Sequence, residues 1–220
     1  MIKEILIMAK SEKLGNYCIA GFDMATKQWI RVVSDKDSMQ NAVPRDIKYD
    51  NGGDVNVLDI VEINFIKPTP TQAQSENWLY DSKIPWKKCG TVRLEDVIKW
   101  RDTDNCNKVF RNLGKVVFPD SASGESLLFL KIENPKVRKK TVESYYYKNV
   151  LETRLYIDFS YKGNQYEELP IRDPEICERY RGCENGDYSL GLQSAYAVFS
   201  LPEIFENTGK HHKILAKLFI

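Results

Sequence analysis

Residues 135–148, PKVRKKTVESYYYK, set Lys136, Arg138, Lys139, Lys140 and Lys148 against a single acid, Glu143, and run straight into Tyr145, Tyr146 and Tyr147. Five bases against one acid give this segment a net +4. Cations neutralise phosphates, and flat rings offer faces on which bases stack, each stack contributing about 1–3 kcal/mol. In a strand, Tyr145 and Tyr147 would share one face, with Tyr146 on the other. The same composition also suits a solvated sheet edge whose lysines prevent aggregation while two tyrosines pack inward. A second constellation lies near the start: Lys10, Lys13, Tyr17, Trp29 and Arg31. Trp29 and Arg31 are two apart, so on a strand they project together, a ring beside a cation. The other reading makes Trp29 a core residue and Arg31 its amphipathic cover. Near the end, Lys210, His211, His212, Lys213 and Lys217 have no acid among them. They either extend a phosphate-contacting surface or form a charged terminus.

Catalytic signatures are missing. The chain has neither a Gly-x-Gly-x-x-Gly after a strand nor a Gly-x4-Gly-Lys-Ser/Thr phosphate loop, and Gly52-Gly53 reads as a turn. No Gly-x-Ser-x-Gly elbow occurs. The two histidines are adjacent and point apart on a strand, which disfavours a triad with Cys183. Cys177 and Cys183 lack the second matching knuckle that a structural zinc site needs. Asp158, Glu167, Glu168 and Asp173 read as an acidic barrel rim. The expectation is a non-enzyme without cofactor or metal.

The elements that must position these residues are mostly strands. Residues 2–9, 17–22 and 29–33 are apolar runs of strand length, the last two joined by the polar connection 23–27. Residues 58–66 alternate, with Ile60, Glu62, Asn64 and Ile66 on one face and Asp59, Val61, Ile63 and Phe65 on the other. Pro68-Thr69-Pro70 ends that strand. Further strands are expected at 127–133, 153–161, 165–171, 195–201 and 213–220, with Lys162-Gly163-Asn164 as a tight turn. Helical spacing is confined to Arg93–Trp100, a second short stretch from Asp104 to Leu113, and a helix capped by Asp173 with Pro174 at its first position and Gly182 past its end. Nine short strands exceed what one five-stranded barrel uses. The expected architecture is mainly β: two small barrels or sandwiches, residues 1–120 with a helical insert near 93–113, and residues 125–220.

Bulk composition fits a packed protein. The chain has 220 residues, 42% hydrophobic and 11% aromatic, enough for a core and against wholesale disorder. Its 32 bases and 31 acids give a net charge of +1, which excludes a bulk polycation but permits a local patch. Residues 152–187 hold nine acids against five bases, offsetting the basic segment before them. Five scattered cysteines, an acidic charge at Glu4 and no long apolar run point to reduced thiols, no signal peptide, no membrane span and a cytoplasmic setting.

Several stretches resemble the dual-OB-containing domain proteins of prokaryotes. They are Ile5–Ser11, Tyr17–Asp23, Trp29–Ser34, Leu58–Glu62, Glu76–Leu79 and His212–Ala216, which together run from one end of the chain to the other. The resemblance implies two OB-like β-barrels in tandem and, by fold analogy, an association with nucleic acid. Joined to the residue patterns, the expectation is a non-catalytic module binding single-stranded or structured DNA or RNA. Its contacts would be Lys10, Lys13, Tyr17, Trp29, Arg31, Lys136, Arg138, Lys139, Lys140, Tyr145, Tyr147 and Lys148. The alternative is a protein-interaction or ligand-sensing β module of a multi-component prokaryotic system such as phage defence, with open strand edges recognising a partner chain.

Overall fold

The computed structural model describes residues 1–35, 41–100, 107–144, 147 and 149–220. The chain is mainly β and divides into two units, Met1–Trp100 and Arg101–Ile220.

The first unit contains β1 (Ile2–Lys13), β2 (Asn16–Asp23), β3 (Trp29–Val33), β4 (Asp59–Pro68), β5 (Asn77–Tyr80), β6 (Lys87–Thr91) and the one-turn α1 (Leu94–Val97). Leu14 and Gly15 both take positive φ, the geometry of a two-residue hairpin loop that matches the twist of β1 and β2. The strands run β1-β2-β3-β5-β4, and β4 pairs back onto β1, closing a five-stranded barrel. β3 and β5 are parallel and the other neighbours antiparallel. This is the strand order of an OB fold. Alternation fills it: Val61, Ile63 and Phe65 of β4 point inward onto Ile5, Ile7 and Ile19, while Ile60, Glu62 and Asn64 lie on the other, half-buried face. Gly21 is dictated by closeness, because a Cβ there would sit 2.0 Å from the Leu6 carbonyl oxygen. Buried Asp59 opens β4. It accepts hydrogen bonds from Tyr49 at 2.8 Å and Thr91 at 2.7 Å and pairs with Lys88 at 2.6 Å. Burial pushes its carboxyl up, but these partners outweigh it and hold the group below the usual range.

The second unit contains β7 (Val116–Val117), β8 (Leu127–Glu143), β9 (Leu151–Tyr161), β10 (Asn164–Pro170), α2 (Pro174–Arg179), β11 (Gly186–Ser189), β12 (Ser194–Ser200), β13 (His211–His212) and β14 (Ile214–Phe219). Its sheet runs β10-β9-β8-β12-β14, with β11 paired to β8 and a separate β7–β13 ladder. Of the stretch expected to be helical from Asp104 to Leu113, residues 104–106 lie outside the described residues; in the remainder Val109–Arg111 form a single turn, whose Val109 and Phe110 pack in this unit's core beside Val117. The expectation of two closed barrels is met for the first unit only. In the second, β10 and β14 share no ladder; one parallel bridge, Ile171 to Leu215, joins the chain just beyond β10 to β14. The cause is local. Pro170 has no N–H to donate, and the chain turns at once into α2.

Asp173 holds that turn. It caps α2 by accepting from the Glu175 N–H at 3.0 Å, and its other oxygen accepts from the Leu218 N–H of β14 at 2.8 Å, with the Lys217 ammonium 3.5 Å away. The carboxylate is fully buried, and burial raises its pKa against the pull of Lys217 and the two N–H groups. Asp173→Ala removes the cap and leaves Lys217 facing an emptied site. The expected cost is about 2–4 kcal/mol, read as a lower urea midpoint of the second unit, with Asp173→Asn retaining part of the loss.

Candidate nucleic-acid interface

In the first unit the structure gathers Lys10, Lys13 and Tyr17 on the β1–β2 hairpin. Tyr17 is half-buried and fixed through its backbone, donating to the Val43 carbonyl at 2.9 Å and accepting from the Val43 N–H at 2.8 Å. The Lys10 ammonium lies 4.4 Å from the Tyr17 ring centre and donates to the Val55 carbonyl at 2.9 Å. Arg45 joins them, its guanidinium 5.6 Å from the same ring and paired with Glu12 at 3.4 Å. No spacing in the sequence marks Arg45, since the Tyr17–Val43 bridge that brings it here links residues far apart in the chain. Lys13 ends β1 beside the hairpin loop.

Trp29 and Arg31 do not join this group. Tyr17 shares the inward face with Ile19, whereas Trp29 and Arg31 alternate with the inward Ile30 and Val32 and so project from the opposite side of the sheet. Trp29 packs on Phe22 at 4.1 Å, and Phe22 meets Trp100 edge-on at 5.8 Å. Arg31 is only 6% exposed and pairs with Glu76 at 3.2 Å. The expected ring beside a free cation is therefore replaced by an aromatic cluster and a buried ion pair. A guanidinium held this way is not offered to a phosphate, since opening the pair would strand Glu76 in the interior.

In the second unit the basic segment lies in the distal half of β8, and a register shift between Glu133 and Lys136 sets its phase. Lys136, Arg138 and Lys140 face outward, while Val137 and Lys139 face in. Lys136 is exposed. Arg138 meets three carboxylates: Asp158 at 2.7 Å, Asp187 at 2.9 Å and Glu168 at 3.4 Å. Lys140 pairs with Glu168 and lies 5.0 Å from the buried Tyr156 ring. Lys115 completes the cluster on Glu168 at 2.7 Å. Lys139 leaves the expected phosphate set altogether: it is buried, and its ammonium donates to the Tyr180, Arg181 and Cys183 carbonyls at 2.8, 2.7 and 2.7 Å. Those carbonyls follow α2, so Lys139 takes the place of a helix C-terminal cation.

Tyr147 is 66% exposed and sits in the β8–β9 loop rather than in a strand. Tyr145 and Lys148 lie outside the described residues. The terminal basic cluster is largely internal. Lys213 is fully buried and donates to the Asn112 carbonyl at 2.8 Å; Lys217 pairs with Glu175 at 2.7 Å; and His211 bonds the Pro202 carbonyl oxygen at 2.8 Å. Burial and nearby Lys210 lower the His212 pKa. Of the acidic stretch Glu167 is exposed, whereas Asp158 and Glu168 bind the cations of β8 and Asp173 is the internal cap. Among the described residues no group of three or more His, Cys, Asp or Glu side chains is placed to hold a metal ion.

The Tyr17 cluster thus lies about the β1–β2 hairpin and the charged cluster about the β8–β9 hairpin. A family model described as the dual OB-containing domain matches residues 3–218. The chain belongs to this family. No curated protein and no solved structure gives a match. Membership accounts for the OB strand order of the first unit and for a span covering nearly all of both units. Among the described residues, no helix is long and apolar enough to cross a membrane.

Glu168 is the centre of the charged face. Hydrogen bonds from Lys115 and Lys140 carry its pKa from the ordinary 4.5 to about 2. A carboxylate depressed in the folded state stabilises that state above its ordinary pKa and loses the effect as pH falls toward the folded value. Unfolding midpoints measured from pH 5 down toward pH 2 should therefore drop more steeply for the natural chain than for Glu168→Gln. Above pH 5, Glu168→Gln should be the less stable of the two.

Proposed function

We propose that the protein is a non-catalytic module that binds nucleic acid, single-stranded or structured, through the first hairpin of each unit. One observation carries this reading. The residues with the right chemistry, Lys10, Lys13 and Tyr17 in one unit, with Arg45 packed on the Tyr17 ring, and Lys136, Arg138, Lys140 and Tyr147 in the other, gather at the same element of the strand order. In OB folds the loop between strands 1 and 2 is one of the loops that contact oligonucleotides. The second unit is read as a second OB barrel on the same grounds. Counted from β8, its strands follow the first unit's order, its 3–5 contact is the parallel Ile171–Leu215 bridge, and α2 lies between its third and fourth strands.

The charge balance supports moderate, salt-sensitive binding. Arg45, Arg138 and Lys140 already have carboxylate partners, so a phosphate there must compete with Glu12, Asp158, Glu168 and Asp187. Lys136 is exposed and forms no ion pair among the described residues, so its charge is the most open to a phosphate in the second unit. A second reading, a β module that docks a protein partner, draws on the apolar tip of the β8–β9 hairpin, where Tyr147, Val150 and Leu151 are all exposed.

Fluorescence anisotropy with labelled oligothymidylate and oligouridylate separates the two. The nucleic-acid reading expects binding at about 50 mM salt that weakens steeply by about 200 mM. It also expects Lys13→Ala and Lys136→Ala each to flatten the log–log salt slope by about 0.7, the value per single-strand phosphate contact. Absence of binding to either oligomer at low salt, with a protein partner retained after nuclease treatment, would favour the second reading.

A further inference from the structure

Arg138 is held by a carboxylate placed as a phosphate would be. Asp187, on the four-residue β11, stands directly opposite Arg138 in the ladder. Its two oxygens accept from the guanidinium Nε at 2.9 Å and Nη2 at 3.4 Å, a two-pronged fork. Phosphate presents a guanidinium with the same pair of oxygens.

The three carboxylates around Arg138 are not equivalent. Asp158 is only 15% exposed, and its other oxygen accepts from the Glu168 N–H at 2.7 Å, so it is tied to the β10 backbone. Glu168 is shared with Lys115 and Lys140. Asp187 is 62% exposed, and Arg138 is its partner among the described residues. Its carboxylate can therefore swing away at the cost of one exposed ion pair, which is small. Neither of the others can leave without unpairing further groups.

We propose that Asp187 is an intramolecular phosphate mimic that occupies Arg138 until a nucleic-acid phosphate replaces it. The inference rests on the nucleic-acid reading above and adds to it the residue that sets affinity at the second hairpin. Arg138 is the phosphate ligand; Asp187 competes for the same fork and lowers the apparent affinity of the free protein. Removing its charge leaves Lys115, Lys136, Arg138 and Lys140 facing two carboxylates instead of three.

The test is an anisotropy titration of labelled oligothymidylate with the full chain at several salt concentrations. The natural protein is compared with Asp187→Asn, with Asp187→Asn combined with Arg138→Gln, and with Glu206→Gln, an exposed acid elsewhere in the same unit. Asp187→Asn should bind roughly fivefold tighter at about 50 mM salt, with a log–log salt slope steeper by about 0.7. Arg138→Gln should abolish the gain, and Glu206→Gln should change affinity less than about twofold. The proposal is overturned if Asp187→Asn binds like the natural protein, if Glu206→Gln matches it, or if the gain survives loss of Arg138. Should the double variant fail to fold, the comparison of Asp187→Asn with Glu206→Gln decides alone. Binding by the natural protein with no gain in Asp187→Asn removes only the mimic, whereas no binding by any variant removes the nucleic-acid reading and the mimic together.

Discussion

The charged face of the second unit depends on one constraint: cations on one strand must find carboxylates on its neighbours. Lys136, Arg138 and Lys140 project from β8, and the carboxylates that meet the last two come from β9, the bulge of β10, and β11. Lys115, just before β7, adds a fourth cation on Glu168. Each pair alone is partly exposed and contributes little. Sharing changes this, because Glu168 and Arg138 each serve several partners, so the register of three strand pairs is fixed by one cluster. The near-zero net charge of the chain is the global trace of this local pairing.

The same constraint bears on function. A phosphate approaching Arg138 or Lys140 meets a cation already engaged, and its gain there is the difference between two sets of ion pairs rather than a fresh attraction. The closed barrel of the first unit places Lys10, Lys13 and Tyr17 on the hairpin between its first and second strands. In the second unit Arg138 and Lys140 are held by the unit's own acids.

Much of the frame was legible in the residues. Strict alternation in β4 assigned its inward face correctly, because a strand with one buried side must repeat every second residue. Asp173-Pro174 marked the start of α2, since cap and first-turn chemistry are local. The short strands β5, β6 and β11 were missed: four or five residues, half of them polar or exposed, carry no period to detect. Charge partners were invisible for a different reason. Arg31 and Glu76 are joined by the parallel pairing of β3 with β5, and Arg138 and Asp187 by the register of β11; neither follows from spacing. Lys139 is the instructive case. It shares its parity with Val137, a signal that it faces inward, yet the run of four basic residues in five made it look like surface.

Amide hydrogen exchange followed by mass spectrometry, with and without an oligothymidylate at low salt, tests the central claim most directly. Nucleic acid bound at the two first hairpins predicts new protection in peptides covering residues 10–19 and 136–156, with little change in β12 and β14. Protection confined to other elements, or none at saturating oligonucleotide, would contradict it.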